Sequence, residues 1–459
     1  LKIKPLFLFI SIIVSSCIAA QETDVTVGFA NELGPMKMEQ MGLGQGGLSE
    51  EPMLDGRLTE IRALHPGVIR LFVSEYYNVL SKRGKYHFSS LDSMVLSIIK
   101  TGAKPLMSFC LKPKVFFPVI DQDIVEPNDY KGWEEFVATI VRHYLHMGIG
   151  IKYWEVGNEV DIGEDGGTPY RFKPESYALY YQHTAAAILR ADPHARVGGP
   201  ALASYQSPIL PKLLSVCSAN KLPLHFVSFH NYNNSPAAIR MQIEYVKNLL
   251  RNYPDLHPET IMDEWNIDLF NPVLDPRFQP CYVAETIWQM KDVGLDWSCY
   301  YQIRDWYVSY ETFAKEFSRN GAAFMTRWWN RQAQFSGLID YQNQIRPAYY
   351  SFKLLSRMAG NQLKVSSNDK VHGFATHDTK LQMHNLMLWN FSDTAVFIKL
   401  HLDDLPKNMR IRHIVLDASG TGLDENQRLR ADPFIHLTKG SQVLSLKLEP
   451  WGVHYWSFE

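Results

Sequence analysis

The feature that most constrains this chain is an alternation of short apolar runs with longer segments of helical spacing, sustained from residue 25 to residue 302. The runs cover 25–30, 67–73, 104–109, 151–156, 196–200, 225–230, 260–264 and 296–302, and they are rich in β-branched and aromatic residues. Amphipathic patterns over 54–64, 91–100, 133–146, 175–190, 236–250 and 283–293 separate most of them, and Ser235 followed by Pro236 is a good helix start. Eight strands alternating with helices predict an α/β fold, a parallel (β/α)8 TIM barrel whose chemistry sits at the C-terminal strand ends. The glycine-rich stretch 42–47 lacks the lysine and the strand-to-helix setting of a phosphate-binding loop, so it reads as a flexible turn.

Beyond Gly360 the pattern changes. Segments 381–389, 395–402, 409–416, 443–448 and 453–458 alternate partly with period two and are separated by Gly, Asp, Asn and Pro, which predicts a C-terminal antiparallel β-sandwich. The expected organisation is therefore a leader over 1–20, a catalytic barrel over 24–359 and an accessory sandwich over 360–459. Lys2 and Lys4 precede an apolar run over 6–14 that is too short to span a membrane, the pattern of an export signal. Val14-Ser-Ser-Cys17 resembles a bacterial lipobox with Cys17 as the lipidated residue, while Ile18-Ala-Ala20 would serve as an ordinary cleavage site. Either way the expectation is an exported protein: a periplasmic or surface lipoprotein with a membrane anchor at Cys17, or a secreted one. Cys110, Cys217, Cys281 and Cys299 lack metal-ligand spacing and read as free buried thiols; no metal or cofactor is expected. A net charge of −2 offers no field for nucleic acid.

Two carboxylates stand where barrel strands end. Glu159 follows the run 151–156 beside Asn158, and Glu264 closes the run 260–264 beside Trp265. Paired carboxyls delivered into one cleft are what glycoside hydrolysis needs: one protonates the leaving oxygen and, in a retaining enzyme, the other attacks the anomeric carbon from about 5 to 5.5 Å away. Arg70 interrupts an otherwise apolar second strand; a buried arginine must be paired, and a cation there would keep the nucleophile ionised. His230 and Tyr232 end the sixth strand as candidates to hydrogen-bond a sugar or a catalytic carboxyl. Trp265 and Trp306 are candidate stacking platforms for a sugar face, although packing is the commoner use of tryptophan. Long connections over 31–54 and 303–319 could close one end of the cleft for exo action on an oligosaccharide.

Arg70 after strand two, Asn158-Glu159 after four, His230-x-Tyr232 after six and Glu264 after seven together resemble the clan A glycoside hydrolases. The runs Tyr86-His-Phe-Ser-Ser-Leu-Asp92 and Val197-Gly-Gly-Pro-Ala201, with the C-terminal sandwich, are similar to family 39, the β-xylosidases and α-L-iduronidases. The resemblance spans most of residues 24–459. It implies that Glu159 is the acid/base, Asn158 a ligand of the sugar 2-hydroxyl and Glu264 the nucleophile, with Arg70, His230 and Tyr232 orienting that nucleophile or binding the glycone. Family 39 typically reads Trp-Asn-Glu-Pro at the acid/base, where this chain has Gly157-Asn158-Glu159-Val160. That wording and Asp263-Glu-Trp-Asn266 resemble the family 51 α-L-arabinofuranosidases. A β-xylosidase-like enzyme, an α-L-arabinofuranosidase and a non-catalytic carbohydrate-binding surface protein are therefore all carried forward.

Overall fold

The computed structural model describes residues 22–46, 52–332, 336–368 and 370–459, so the leader and Cys17 lie outside the described residues. Chain order begins with two strands of different destination, β1 (Thr23–Pro35) and β2 (Met41–Gln45). β2 opens a closed parallel barrel continued by β3 (Val68–Val73), β4 (Lys104–Phe109), β5 (Tyr153–Val156), β6 (Arg196–Leu202), β7 (Phe226–Tyr232), β8 (Glu259–Asn266) and β9 (Trp297–Tyr301), with β9 pairing back to β2. The helices between successive strands are α1 (Leu58–Arg62), α2 (Ser89–Thr101), α3 (Tyr130–His146), α4 (Pro174–Ala191), α5 (Ile209–Asn220), α6 (Pro236–Leu250) and α7 (Phe278–Asp292). After β9 come α8 (Tyr310–Phe313), α9 (Arg319–Gln332) and α10 (Pro347–Leu355), the last packing beside α7 to complete the outer ring.

The barrel is the expected one, but its first strand is not. The run 25–30 belongs to β1, which pairs with strands of the C-terminal sheet, and the first barrel strand is the glycine-rich segment read from sequence as a turn. A Cβ at Gly42 would stand 2.6 Å from a Val68 methyl, 2.8 Å from the Val68 carbonyl and 3.0 Å from the Ser298 carbonyl, so β2 fits between β3 and β9 because side chains are missing there. Residues 31–45 are therefore largely strand and do not form the cleft-closing loop expected of 31–54.

Residues alternate across each barrel strand, and the inward faces change character along the axis. Leu106, Tyr153, Phe226 and Ile261 make an apolar plug in the N-terminal half. Two residues further along the same faces stand Ser108, Glu155, Ser228 and Asp263, all fully buried and polar. The outward faces join the helices in the main apolar core.

The C-terminal strands are β10 (Asn361–Ser366), β11 (Val371–Asp378), β12 (Met383–Asn390), β13 (Val396–Leu405), β14 (Met409–Leu416), β15 (Leu429–Ala431), β16 (Ile435–Leu437), β17 (Gly440–Leu448) and β18 (Val453–Phe458). With β1 they form one ten-stranded sheet in the order β15-β14-β18-β12-β11-β10-β1-β13-β17, with β16 also on β14. Val27 of β1, Ile398 of β13, Ile411 of β14 and Phe458 of β18 meet in a single core, so the sheet curls over on itself as a sandwich. All its pairings are antiparallel except β1 with β13, the consequence of recruiting an N-terminal strand. The opposite face, including Phe374, Met387 and Trp389, packs into the barrel's core. Cys110, Cys217, Cys281 and Cys299 are free and buried.

Candidate active site

The C-terminal ends of β3, β5, β7 and β8 bring six predicted side chains together. Arg70 on β3 is 1% exposed and donates from Nη1 to Glu264 Oε1 at 2.7 Å and from Nη2 to Asn158 Oδ1 at 2.8 Å. The Tyr232 hydroxyl donates to Glu264 Oε2 at 2.5 Å, so both nucleophile-candidate oxygens are held in place. His230, two residues before Tyr232 and on the same face of β7, places Nδ1 3.0 Å from Glu159 Oε1 and 3.5 Å from Glu264 Oε2. One carboxylate oxygen each from Glu159 and Glu264 and a His230 nitrogen lie within 4.8 Å of one another.

Backbone irregularities aim these groups. Consecutive residues of a strand face opposite ways, yet Asp263 and Glu264 both turn into the barrel, because the β8 register slips between Met262 and Glu264 against β7 and between Met262 and Trp265 against β9. Glu159 has a left-handed φ of 42°, follows Gly157 at 97°, and is fixed by its N–H donating to the Ala201 carbonyl at 2.7 Å.

Sequence reasoning missed two members of the site. Glu155 accepts from Arg70 at 2.6 Å, and Asp263 accepts from Arg70 Nε at 2.9 Å and faces His230 Nε2 at 3.3 Å. The signal was the one that singled out Arg70: Glu155 stands between Trp154 and Val156 in a buried strand, where an ionisable residue needs a partner. Burial pushes the Glu155 carboxyl up to about 8, while Asp263, despite burial, is held below the usual carboxylate range by Arg70 and His230. Glu155 Oε1 and Asp263 Oδ1 are buried without a hydrogen-bond partner among the described residues.

Burial likewise pushes Glu159 up to about 7, against the lowering pull of the His230 hydrogen bond, and the Glu264 charge adds to the rise. Burial alone would lower His230, but Glu264 and Asp263 outweigh it and hold the imidazole well above its ordinary range. Glu159, His230 and Glu264 have the spacing of a metal-ligand set. In this structure both imidazole nitrogens are engaged by carboxylates, Nδ1 by Glu159 and Nε2 by Asp263.

The two tryptophan platforms need correction. Trp265 is fully buried on the outer side of β8 against Tyr282, Tyr300 and Phe352, because the bulge that turns Glu264 inward turns its neighbour outward. Trp306 packs at a tilt against Trp329, with ring centroids 4.9 Å apart, and does not line the cleft. The tryptophans that do are Trp328 and Trp329 of α9, a helix to which the sequence pattern assigns no element. The cleft encloses about 480 Å³, with a floor of buried residues that includes Phe72, Cys110, Phe313 and Glu316.

The sequence profile of glycosyl hydrolases family 39 matches residues 58–399. A β-xylosidase of Geobacillus stearothermophilus is 27% identical over 44% of this chain and 45% of its own length. One of Caldicellulosiruptor saccharolyticus is 24% identical over 62% of this chain and 59% of its own. The chain thus matches about half the length of these curated relatives. Among solved structures, a family 39 β-xylosidase from Caulobacter crescentus superposes with a TM-score of 0.72 at 19% identity, covering 96% of this chain and 100% of that one.

Proposed function

The chain belongs to glycosyl hydrolases family 39, and from that premise we propose that it is a retaining exo-glycosidase of β-xylosidase type acting on xylan-derived oligosaccharides. The observation that carries the retaining reading is the carboxyl spacing: oxygens of Glu159 and Glu264 within 4.8 Å of each other suit the roughly 5–5.5 Å separation of a retaining pair better than the roughly 6.5–9.5 Å of an inverting one. Glu264, ionised against Arg70, attacks the anomeric carbon. Glu159, neutral up to about pH 7, gives its proton to the leaving oxygen as that bond breaks. Glu159 then takes a proton from the water that cleaves the glycosyl–Glu264 ester and regenerates both groups. Arg70, Tyr232 and His230 orient the carboxylates. Asn158, with Oδ1 occupied by Arg70, keeps its amide N–H groups for the sugar 2-hydroxyl.

Among the described residues no Lys or Arg lines the cleft, which favours a neutral pentose over a uronic acid glycone. The two carboxyls, matched in environment to acid and nucleophile, favour turnover over a carbohydrate-binding role. The sandwich braces the barrel and takes no part in substrate contact. The test is hydrolysis of a panel of aryl glycosides, including β-D-xyloside and α-L-arabinofuranoside, by wild type, Glu159→Gln and Glu264→Gln. Turnover of the xyloside, abolished in Glu264→Gln and restored by azide in Glu159→Ala, is expected. Turnover of the arabinofuranoside alone would replace the glycone assignment, and binding of xylan fragments by a folded but silent wild type would replace the enzymatic one. The basic-then-apolar leader further supports export with lipidation at Cys17; a Cys17→Ser chain that still fractionates with membranes would contradict the anchor.

A further inference from the structure

The cleft is graded from floor to rim. Its buried floor carries the carboxylates and their partners, while its rim presents Tyr205 from the β6 loop, Met241 of α6, Leu269 and Phe270 from the β8 loop, and Trp328 of α9. These are not incidental exposures: Phe270 is 73% and Met241 63% exposed, and the Phe270 and Trp328 rings stand 6.2 Å apart. A glycosidase that accepts a sugar in its leaving-group site must meet several hydroxyls with polar partners. Here several polar groups of the same wall are engaged with the surrounding protein. Asp268 Oδ1 accepts from the Phe270 and Asn271 N–H groups, Asn233 Oδ1 from the Ser235 N–H, the Asn231 amide donates to Gln242, and the Gln242 amide donates to the His230 carbonyl. Asp165 and Ser204 complete the wall.

The acid is connected to the α9 part of this rim. Glu159 Oε2 lies against the turn at Gly166, where an added Cβ would fall 2.2 Å from it. The next residue, Gly167, is 3.3 Å by the same measure from the Met325 methyl on α9, and Trp328 follows one helical turn along. The Glu159 oxygen not engaged by His230 is thus joined, through the Gly166–Gly167 turn and Met325, to the helix that carries Trp328. The volume agrees: a pentosyl unit of about ten non-hydrogen atoms, given even the ~30 Å³ that a water molecule takes in the liquid, fills at most roughly 300 Å³, well under the 480 Å³ enclosed.

We infer that this rim is an apolar leaving-group subsite, selecting glycosides whose aglycone is an alkyl or aryl group over those whose aglycone is a second sugar. The inference rests on the retaining exo-glycosidase reading above and revises only its substrate, from xylan-derived oligosaccharides to glycosides with an apolar aglycone. The chemistry is unchanged: the anomeric C–O bond breaks, the leaving group departs as an alcohol or phenol with the proton from Glu159, and water supplies the hydroxyl of the released sugar.

The experiment is a series of methyl, butyl and octyl glycosides of the glycone identified by the panel, below the micelle concentration, with the corresponding disaccharide alongside. Leaving-group basicity barely changes along the alkyl series, so a trend reports apolar contact. Since each buried methylene is worth up to roughly fourfold, KM is expected to fall at least about tenfold from methyl to octyl, with octyl preferred to the disaccharide in kcat/KM. In the double variant Met241→Ser, Phe270→Ser the octyl-to-methyl ratio of kcat/KM is expected to drop by about tenfold. A flat series, a preference for the disaccharide, or an unchanged ratio in the variant overturns the inference. If wild type turns over none of these, the glycosidase reading has failed, and the subsite is judged by binding. The S-linked methyl and octyl β-D-xylosides are titrated by tryptophan fluorescence, where equal affinities would overturn the subsite and tighter octyl binding, lost in the double variant, would support it.

Discussion

Glu159 is the residue on which most of the chemistry turns, and its environment makes two measurable statements. Burial lifts its carboxyl to about 7, and a general acid works only while protonated. Activity should therefore hold below that value and fall about tenfold per pH unit above it. A kcat/KM–pH profile with an alkaline limb near 7 is expected, and Glu159→Gln, assayed on an activated aryl glycoside that needs no proton, should lose that limb while retaining residual turnover. The second statement concerns Gly166, whose missing side chain leaves space for Glu159 Oε2. Its φ is not in the left-handed region, so alanine suits the backbone. The added methyl would meet chiefly the mobile ends of Glu159 and Ile162, which can yield without unfolding anything. Gly166→Ala should keep its melting temperature within a few degrees yet lose on the order of 10²-fold in kcat, the cost of moving a catalytic group by about 1 Å. A variant as active as wild type would show that this oxygen needs no such space.

At the scale of elements, β2 and β8 both depart from regular strands, and the bulge of β8 serves the site by turning Glu264 inward. β2 lies in the barrel without side chains at 42 and 44, so Gly42→Ala forces a Cβ into the Val68 and Ser298 backbones. It should destabilise by about 1–3 kcal/mol in a denaturant titration; a cost near zero would mean that the strand can shift. This is also where the sequence was least legible. Strand propensity rests on side chains that pack, so a strand that exists because side chains are absent looks like a turn. Conversely, Val25, Val27 and Phe29 look like a barrel strand because they pack a core, and sequence alone does not say which core. Arg70, Asn158, Glu159, His230, Tyr232 and Glu264 were legible, since each breaks the apolar character of a buried strand or stands at its end. Glu155 and Asp263 carried the same mark but sat beside more conspicuous neighbours. The direction of Trp265 was not legible, because the β8 bulge that sets it leaves no trace in residue type.

For the whole molecule, the question is how the sandwich and the barrel hold together, and the answer centres on Glu285 of α7. This carboxylate, 4% exposed, accepts from Trp389 Nε1 at 2.8 Å and meets His372 Nδ1 at 2.8 Å, both on the sandwich, while Gln289 of its own helix donates at 2.7 Å. Burial would raise its pKa, but the hydrogen bonds from His372, Trp389 and Gln289 outweigh burial and hold it below the ordinary glutamate value. A carboxyl with a depressed folded value stabilises the fold above its unfolded value, near 4.3, and that contribution is lost as pH falls through the lower folded one. Glu285→Gln should therefore cost about 1.5–3 kcal/mol at pH 7 and progressively less as pH falls from about 5 towards 3. β1 strengthens the same junction covalently, since the strand that starts the described chain is built into the sandwich and runs directly into the barrel's first strand. Barrel and sandwich should accordingly melt in one calorimetric transition in the wild type. A Glu285→Gln protein that keeps a single transition at an unchanged temperature would show that the apolar contact through Phe374, Met387 and Trp389 holds the two together without the buried charge.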